Sequence, residues 1–373
     1  MTTKARTARE IATALEAWFR IAERALPWRR DRSPYRVWLS EIMLQQTQVS
    51  VVVDYFERFV ARFPSVHDLA RADQDLVLSM WSGLGYYARG RNLHRAARVV
   101  ALERGGSFPT TVDELMTLPG VGPYTAAAIA AFAFDGESVL VDGNVARVVS
   151  RLFDLDLPVD TTAGKGVVRA HASLLVENAA HPPRHNEAMM ELGALVCTPR
   201  SPACSACPLE KNCRARALGT VDRRPQKSPK RARTAIDLVA AVVTSDDAVL
   251  LERRPNAGLF GGTYAPPFEE RVASMRERDQ LHGLVEALAV TPSLTLPRGR
   301  LSPPAVVERT LTHRQVSVRV HRFALQNFAA REPLVVVRFV DLADIGMSTA
   351  ARAVLHAVIP GIDRFFGATR RRG

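Results

Sequence analysis

The chain has 373 residues, 47% hydrophobic and 24% charged, with 50 Lys and Arg against 38 Asp and Glu for a formal net charge of +12. That length allows two cores, and no run of about 18 apolar residues exists that would argue for a membrane span. MTTKARTARE at the start lacks the apolar centre of a signal peptide, so a cytoplasmic location is expected, and the basic balance favours a polyanionic partner, nucleic acid first.

Apolar residues recur at helical spacing in ATALEAWFRIAERAL (12–26), in 35–63 and in NEAMMELGALV (186–196), while strand signals are scarce. Residues 1–218 are therefore expected to form an all-α domain. Ser33 and Pro34 read as an N-cap and first turn, opening a helix that runs through YRVWLSEIMLQQTQV. Glu41 lies on the stripe of Val37, Trp38, Leu44 and Gln45. Desolvation there should raise its pKa and suit it to general acid work.

LMTLPGVGPYTAAAIAAFAF (115–134) places Pro119-Gly120-Val121-Gly122 before an Ala-rich helix. Backbone N–H groups freed by such a turn at a helix start can hold a phosphate without reading bases. In VLVDGNVARVVSRLF (139–153), Asp142 precedes a helix with Val145, Val148, Val149 and Leu152 on one face. The helix end should lower the Asp142 pKa and keep it ionised. One protonated acid and one carboxylate would suit cleavage of a glycosidic bond.

All four cysteines, Cys197, Cys204, Cys207 and Cys213, lie within CTPRSPACSACPLEKNC. A C-x6-C-x2-C-x5-C cluster in a cytoplasmic protein points to zinc or an iron–sulfur cluster, and only one pair has the zinc-knuckle spacing. Lys211, Arg214 and Arg216 stand in or just after this loop. The stretch 219–235 holds six basic residues and two prolines and reads as a linker. Beyond it, IDLVAAVVTSDDAVLLERR reads as two strands about a polar turn and QVSVRVHRFAL alternates. MRERDQLHGLVEALA and STAARAVLHAVI read as helices. Residues 236–373 are expected to form a smaller α+β domain.

Taken together, these strings resemble the MutY-type adenine DNA glycosylases of the endonuclease III, helix-hairpin-helix superfamily. The resemblance spans nearly the whole chain. It rests on LPWR (26–29), PYRVWLSEIMLQQTQV (34–49), WSGLGYYARGRNLH (81–94), LPGVGPYTA (118–126), VDGNVARV (141–148), HNEAMMELGALVC (185–197) and the cysteine loop. It implies a multidomain protein: an all-α helix-hairpin-helix glycosylase domain with a 4Fe-4S loop, then a Nudix-like α+β domain. The implied activity is removal of adenine mispaired with 8-oxoguanine or guanine in double-stranded DNA, by a monomer.

The resemblance also implies roles. Glu41 would protonate adenine N7, Asp142 would stabilise the sugar cation, and Tyr124 and Asn144 would assist. Trp28, Arg29, Leu44 and Glu187 would line the adenine pocket. Gln46 and Tyr86 would wedge into the duplex, and Gly120, Val121 and Gly122 would contact its backbone. Lyase members carry Lys where this chain has Tyr124, so a monofunctional enzyme is implied. Residues 270–290 lack the R-E-x-x-E-E run of a catalytic Nudix box. Leu311-Thr312-His313 stands where the family has Phe-Ser-His, and Thr312 and His313 would contact the oxidised guanine. Two rival readings are a thymine glycosylase acting on G·T mispairs and a non-catalytic iron–sulfur DNA-binding protein. Glu41 argues against the first, since thymine has no basic N7. The presence of both Glu41 and Asp142 argues against the second.

Overall fold

The structure, a computed structural model, describes residues 3–229, 232–256, 258–296, 301–311 and 314–366. It divides into two compact units, Met1–Val66 with Ala96–Lys230, and His67–Arg95 with Arg231–Gly373. Helices α1 (Thr3–Ala22), α2 (Pro27–Arg30), α3 (Pro34–Leu44) and α4 (Val49–Arg62) come first, then α5 (Val66–Arg71), α6 (Gln74–Met80) and α7 (Tyr87–Arg98). They are followed by α8 (Val112–Leu115), α9 (Pro123–Phe134), α10 (Gly143–Leu152), α11 (Thr162–Val176), α12 (Pro182–Leu195) and α13 (Arg214–Ala217). None of the described helices is long and apolar enough to cross a membrane.

In the first unit, α10 offers Val145, Val148, Val149 and Leu152 at helical spacing. They meet Ile11, Leu15 and Phe19 of α1 and Ala188, Met189 and Leu192 of α12 in one core. Helix α3 is buried on almost every side, Glu41 included. It stops at Leu44, short of the expected end. The amide of Gln45 instead donates to the Thr125 hydroxyl on α9 at 2.9 Å, and Gln46 turns left-handed at φ 58°. The Ser33 side chain makes no cap. Its backbone N–H donates to Asp31 at 2.9 Å, and Pro34 supplies the fixed φ of the first turn.

The start of the basic stretch after the cysteines is tied down. Arg224 pairs with Asp154 at 2.9 Å and with Asp156 at 2.9 Å, Thr220 donates to Asp154, and Ser228 N–H donates to Asp160. A free tether would leave these donors to water.

The second unit contains β1 (Thr234–Thr244), β2 (Ala248–Arg253), β3 (Tyr264–Ala265), β4 (Phe268–Glu270), α14 (Glu277–Glu286) and β5 (Val290–Thr291). After these come β6 (Ala305–Thr310), β7 (Arg314–Ala324), β8 (Ala329–Ala330), β9 (Leu334–Arg338) and α15 (Thr349–His356). Among the described residues the main sheet runs β3-β2-β1-β7-β6, with β4 beside β1 and β9 beside β2; β5 and β8 form a separate pair. β1 and β7 are parallel, in a register that sets Leu238 against Val318, and the other pairings are antiparallel.

Side chains alternate across a strand, and both faces of β1 are covered. Leu238, Ala240 and Val242 join Val316, Val318 and Val354 on one side. Val239, Ala241 and Val243 join Leu281, Leu284 and Val285 of α14 on the other. This is the α+β domain expected from the sequence.

Gly164 on α11 packs so tightly that a Cβ there would overlap the Pro158 carbonyl. Gly164→Ala should cost about 1–3 kcal/mol, as overpacking does. A lower thermal midpoint by circular dichroism is the expected reading.

Candidate active site

Glu41 is 7% exposed on α3, facing a cavity of about 100 Å³. Trp28, Arg29, Leu44, Asn144 and Glu187 line the same cavity. Five residues expected from sequence to line or assist the site thus surround the expected acid. Burial, and then the charges of Asp142 and Glu187, push the Glu41 carboxyl up to about 8. The charges of Glu41 and Asp142 also act on Tyr124, whose phenol is raised first by burial and lies 3.9 Å from the Met190 sulfur.

Asp142 caps α10 as its sequence position suggests. It accepts from Val145 N–H at 2.7 Å and from the Asn144 amide at 2.9 Å. The expected fall in its pKa is overturned. Burial outweighs those two bonds and the charge of Arg147, so its pKa is raised. The helix end supplies the predicted donors, but the protein packed around them removes the water that would have solvated the charge.

One wall of the cavity is ionic. Arg29 donates to Glu187 at 3.2 Å and to Glu191 at 3.2 Å, Arg32 donates to Glu187 at 2.8 Å, and Arg24 holds Glu191 at 2.7 Å. Burial pushes the Glu191 carboxyl up, but the Arg24 and Arg29 bonds prevail and hold it below its usual range. Sequence reading found Arg29 and Glu187 and missed Arg24, Arg32 and Glu191. The i, i+4 spacing of Glu187 and Glu191 on α12 was an available signal.

Helix α10 carries a second set of contacts. Arg147 donates to the Asn144 side chain at 2.9 Å, to the Gly193 carbonyl at 2.7 Å and to the Cys197 carbonyl at 2.7 Å. One turn on, Arg151 is 2% exposed and donates to the Cys197 sulfur at 3.4 Å and the Thr198 carbonyl at 2.7 Å. The helix that positions Asp142 is therefore clamped to the cysteine loop. Neither arginine was singled out from sequence, although both are close to Asp142 and four residues apart.

Cys197, Cys204, Cys207 and Cys213 line one small cavity of about 30 Å³ and form no disulfide. Among the described residues, no three His, Cys, Asp or Glu side chains converge as a single-ion site. Burial, with the charges of the other three thiols adding to it, pushes Cys207 up to about 11. Lys211, Arg214 and Arg216 are exposed.

The turn before α9 has Gly120 at φ 79°, a buried Val121, and Gly122 as a cap residue with no side-chain bond. Only Gly120 needs glycine's backbone freedom. Gly122 is exposed, and a Cβ there would meet no protein atom. Gln46 is exposed in the first unit, and Tyr86 is 45% exposed in the second. Thr312 and His313 lie outside the described residues.

Residues 39–163 match the profile of the HhH-GPD superfamily of base excision DNA repair proteins, and residues 238–357 match that of the NUDIX domain. The adenine DNA glycosylase of Rattus norvegicus is 35% identical over 84% of this chain and 70% of its own length. The chain belongs to the adenine DNA glycosylase family. It is also 35% identical to the human adenine DNA glycosylase over 84% of this chain, and it spans 66% of that relative. A thermostable thymine-DNA glycosylase of known structure superposes with a TM-score of 0.51 at 26% identity, covering 57% of this chain and 98% of its own. The family thus accounts for both parts of the chain, the helical unit and the sheet.

Two outcomes follow from the packing of this site. A Cβ at Gly193 would lie 2.6 Å from the Asn144 Cβ. Gly193→Ala should lower the thermal midpoint and, in a crystal structure, part Asn144 from Asp142. The second outcome concerns Glu41. Its folded pKa lies above the unfolded value, so its contribution to stability is full below about pH 4.5 and is lost as pH rises through about 8. Glu41→Gln should therefore melt higher than wild type at pH 8 or above, with the gain vanishing toward pH 4.5. Equal melting of the two proteins across that range would refute the burial of a charge there.

Proposed function

We propose that this chain is a monofunctional adenine DNA glycosylase of base excision repair, acting on adenine opposite 8-oxoguanine or guanine in double-stranded DNA. The observation that carries the reading is the buried Glu41 in a cavity whose charge environment also contains Asp142. Both carboxyls are raised, chiefly by burial, and the charge of Asp142 adds to the rise at Glu41. Asp142 has two hydrogen-bond donors and Arg147 to favour its charge, whereas the charges acting on Glu41 are negative. Asp142 gives up its proton first, which leaves Glu41 as the acid.

In this mechanism the extruded adenine enters beside Trp28 and Leu44, in register with the Arg29–Glu187 pair. Glu41 donates its proton to N7, and the bond from C1′ to N9 breaks with its electron pair leaving on the base. The Asp142 carboxylate offsets the charge on the sugar, held in line by the Asn144 amide. Water adds to C1′ and passes a proton to the Glu41 carboxylate. Tyr124 has no amine to form a Schiff base, so the strand is left unbroken. The open Gly120–Gly122 turn would take a backbone phosphate.

Four sulfurs lining one small cavity suit a 4Fe-4S cluster held by Cys197, Cys204, Cys207 and Cys213. When bound, it would supply positive charge to stabilise the thiolates and a rigid brace for the exposed basic residues of its loop. The location is proposed to be that of the DNA.

The test uses duplexes with A or T opposite guanine or 8-oxoguanine, each followed by alkali. Cleavage at adenine opposite guanine or 8-oxoguanine and only after alkali is expected; release of thymine from G·T would favour the thymine reading. Glu41→Gln and Asp142→Asn should each bind the mispair but slow base release by on the order of a hundredfold or more. Single-turnover rates should fall about tenfold per pH unit above about pH 8, where Glu41 loses its proton. For the cluster, protein made with ample iron should be yellow-brown and contain iron and sulfide. Stoichiometric zinc in their place would refute that assignment.

A further inference from the structure

Tyr86 is an exposed aromatic with a left-handed backbone, φ 49°, between Gly83 at φ 104°, Gly85 at φ 74° and the start of α7. A tyrosine adopts that conformation only where its surroundings over-determine it. Part of the constraint is local. The Trp81 indole donates to the Gly85 carbonyl at 3.1 Å, and Arg89 donates to the Leu84 carbonyl at 3.1 Å. The rest comes from far along the chain. Ser82 and Tyr87 flank the loop, and both hydroxyls donate to one acceptor, the Met347 carbonyl, at 2.8 and 2.6 Å. Arg352 on α15 donates to the Ser82 hydroxyl at 2.6 Å.

The Met347 acceptor is itself fixed. The neighbouring Gly346 carbonyl accepts from Tyr264 N–H on β3 at 2.9 Å, and the Met347 side chain is fully buried. A Cβ at Gly346 would lie 3.0 Å from the Leu78 Cβ, so the 345–348 segment and α6 are in close contact. The Ser348 side chain caps α15 by accepting from Ala351 N–H. Asp75 on α6 is tied to the same sheet by Arg253 at 3.0 Å and Tyr264 at 3.2 Å. The loop that presents Tyr86 is thus attached at both ends to a rigid part of the second unit.

We propose that residues 345–352 are a positioning device for Tyr86: Ser82, Tyr87 and Arg352 hold the loop on the Met347 carbonyl so that the Tyr86 ring is presented to DNA in one conformation. The inference rests on the reading of Tyr86 as a side chain that enters the duplex. It makes the sheet unit a direct contributor to base extrusion, because the wedge and its support belong to the same compact body. Ser82, Tyr87 and Arg352 are positioning residues and need not touch DNA.

The test compares wild type, Tyr86→Ala, Tyr87→Phe, Ser82→Ala and the Tyr86→Ala/Tyr87→Phe double variant, all as full chains. Extrusion is read from a fluorescent base analogue beside a mispaired adenine, and loop order from hydrogen exchange at residues 83–87. Tyr86→Ala is expected to slow extrusion about tenfold or more. Tyr87→Phe should slow it severalfold and speed exchange in the loop, with Ser82→Ala acting in the same direction. The double variant should match Tyr86→Ala alone, since a support has nothing to act through once the ring is gone. Unchanged exchange in both hydroxyl variants would overturn the brace. Fully additive losses in the double variant would overturn its action through Tyr86. A Tyr86→Ala protein with normal extrusion would instead overturn the wedge reading, and exchange would still report whether the brace exists.

Discussion

A buried carboxyl within range of a second, half-buried carboxyl's charge sets the terms for the rest of the helical unit. Glu41 and Asp142 repel, and desolvation penalises each charge separately. Such a pair persists only if the scaffold is rigid enough to prevent either group from turning out to water. Helix α3 is rigid because it is buried nearly all round. Asp142 is fixed by its cap bond, by Asn144, and through Asn144 by Arg147. The proposed division of labour between acid and carboxylate rests on this asymmetry of donors together with the deeper burial of Glu41.

The cavity wall answers the same problem differently. Glu187 and Glu191 would add to the negative charge, yet Arg24, Arg29 and Arg32 engage them closely. Buried ion pairs of this kind cost desolvation and return specificity of geometry. Here the geometry is a pocket with fixed polar edges beside an apolar floor of Trp28 and Leu44. Through Arg147 and Arg151, α10 extends that order to the cysteine loop. A cluster bound there would act as a structural anchor at one end of the helix whose other end carries Asp142.

The second unit owes its order to alternation along β1. Neighbouring side chains enter two separate cores, one backed by α15 and one by α14, so the strand cannot slip by one residue without burying every side chain on the wrong face. That fixed sheet gives the 345–348 segment its position, and that segment in turn receives the hydroxyls of Ser82 and Tyr87. Together with the Asp75 bonds to Arg253 and Tyr264, these contacts attach a helical segment from early in the chain to a body built mostly from the end of it.

Much of this could be read in the amino-acid order alone. The stripe around Glu41, the cap position of Asp142, the glycine turn, the cysteine spacing and the alternating strands are local patterns, and helix and strand periodicities translate them directly into burial and exposure. Membership of the family follows from the same strings. Only the folded chain decided the rest. The raised pKa of Asp142 was invisible because hydrogen-bond donors at a helix start are neighbours in sequence, while desolvation comes from side chains distant in it. The end of α3 at Leu44, the Arg–Glu wall, the close approach of Gly193 to Asn144 and the attachment of residues 67–95 to the sheet unit likewise depend on pairings between distant residues. Periodicity says which face of an element is buried, but it carries no information about which other element will cover it.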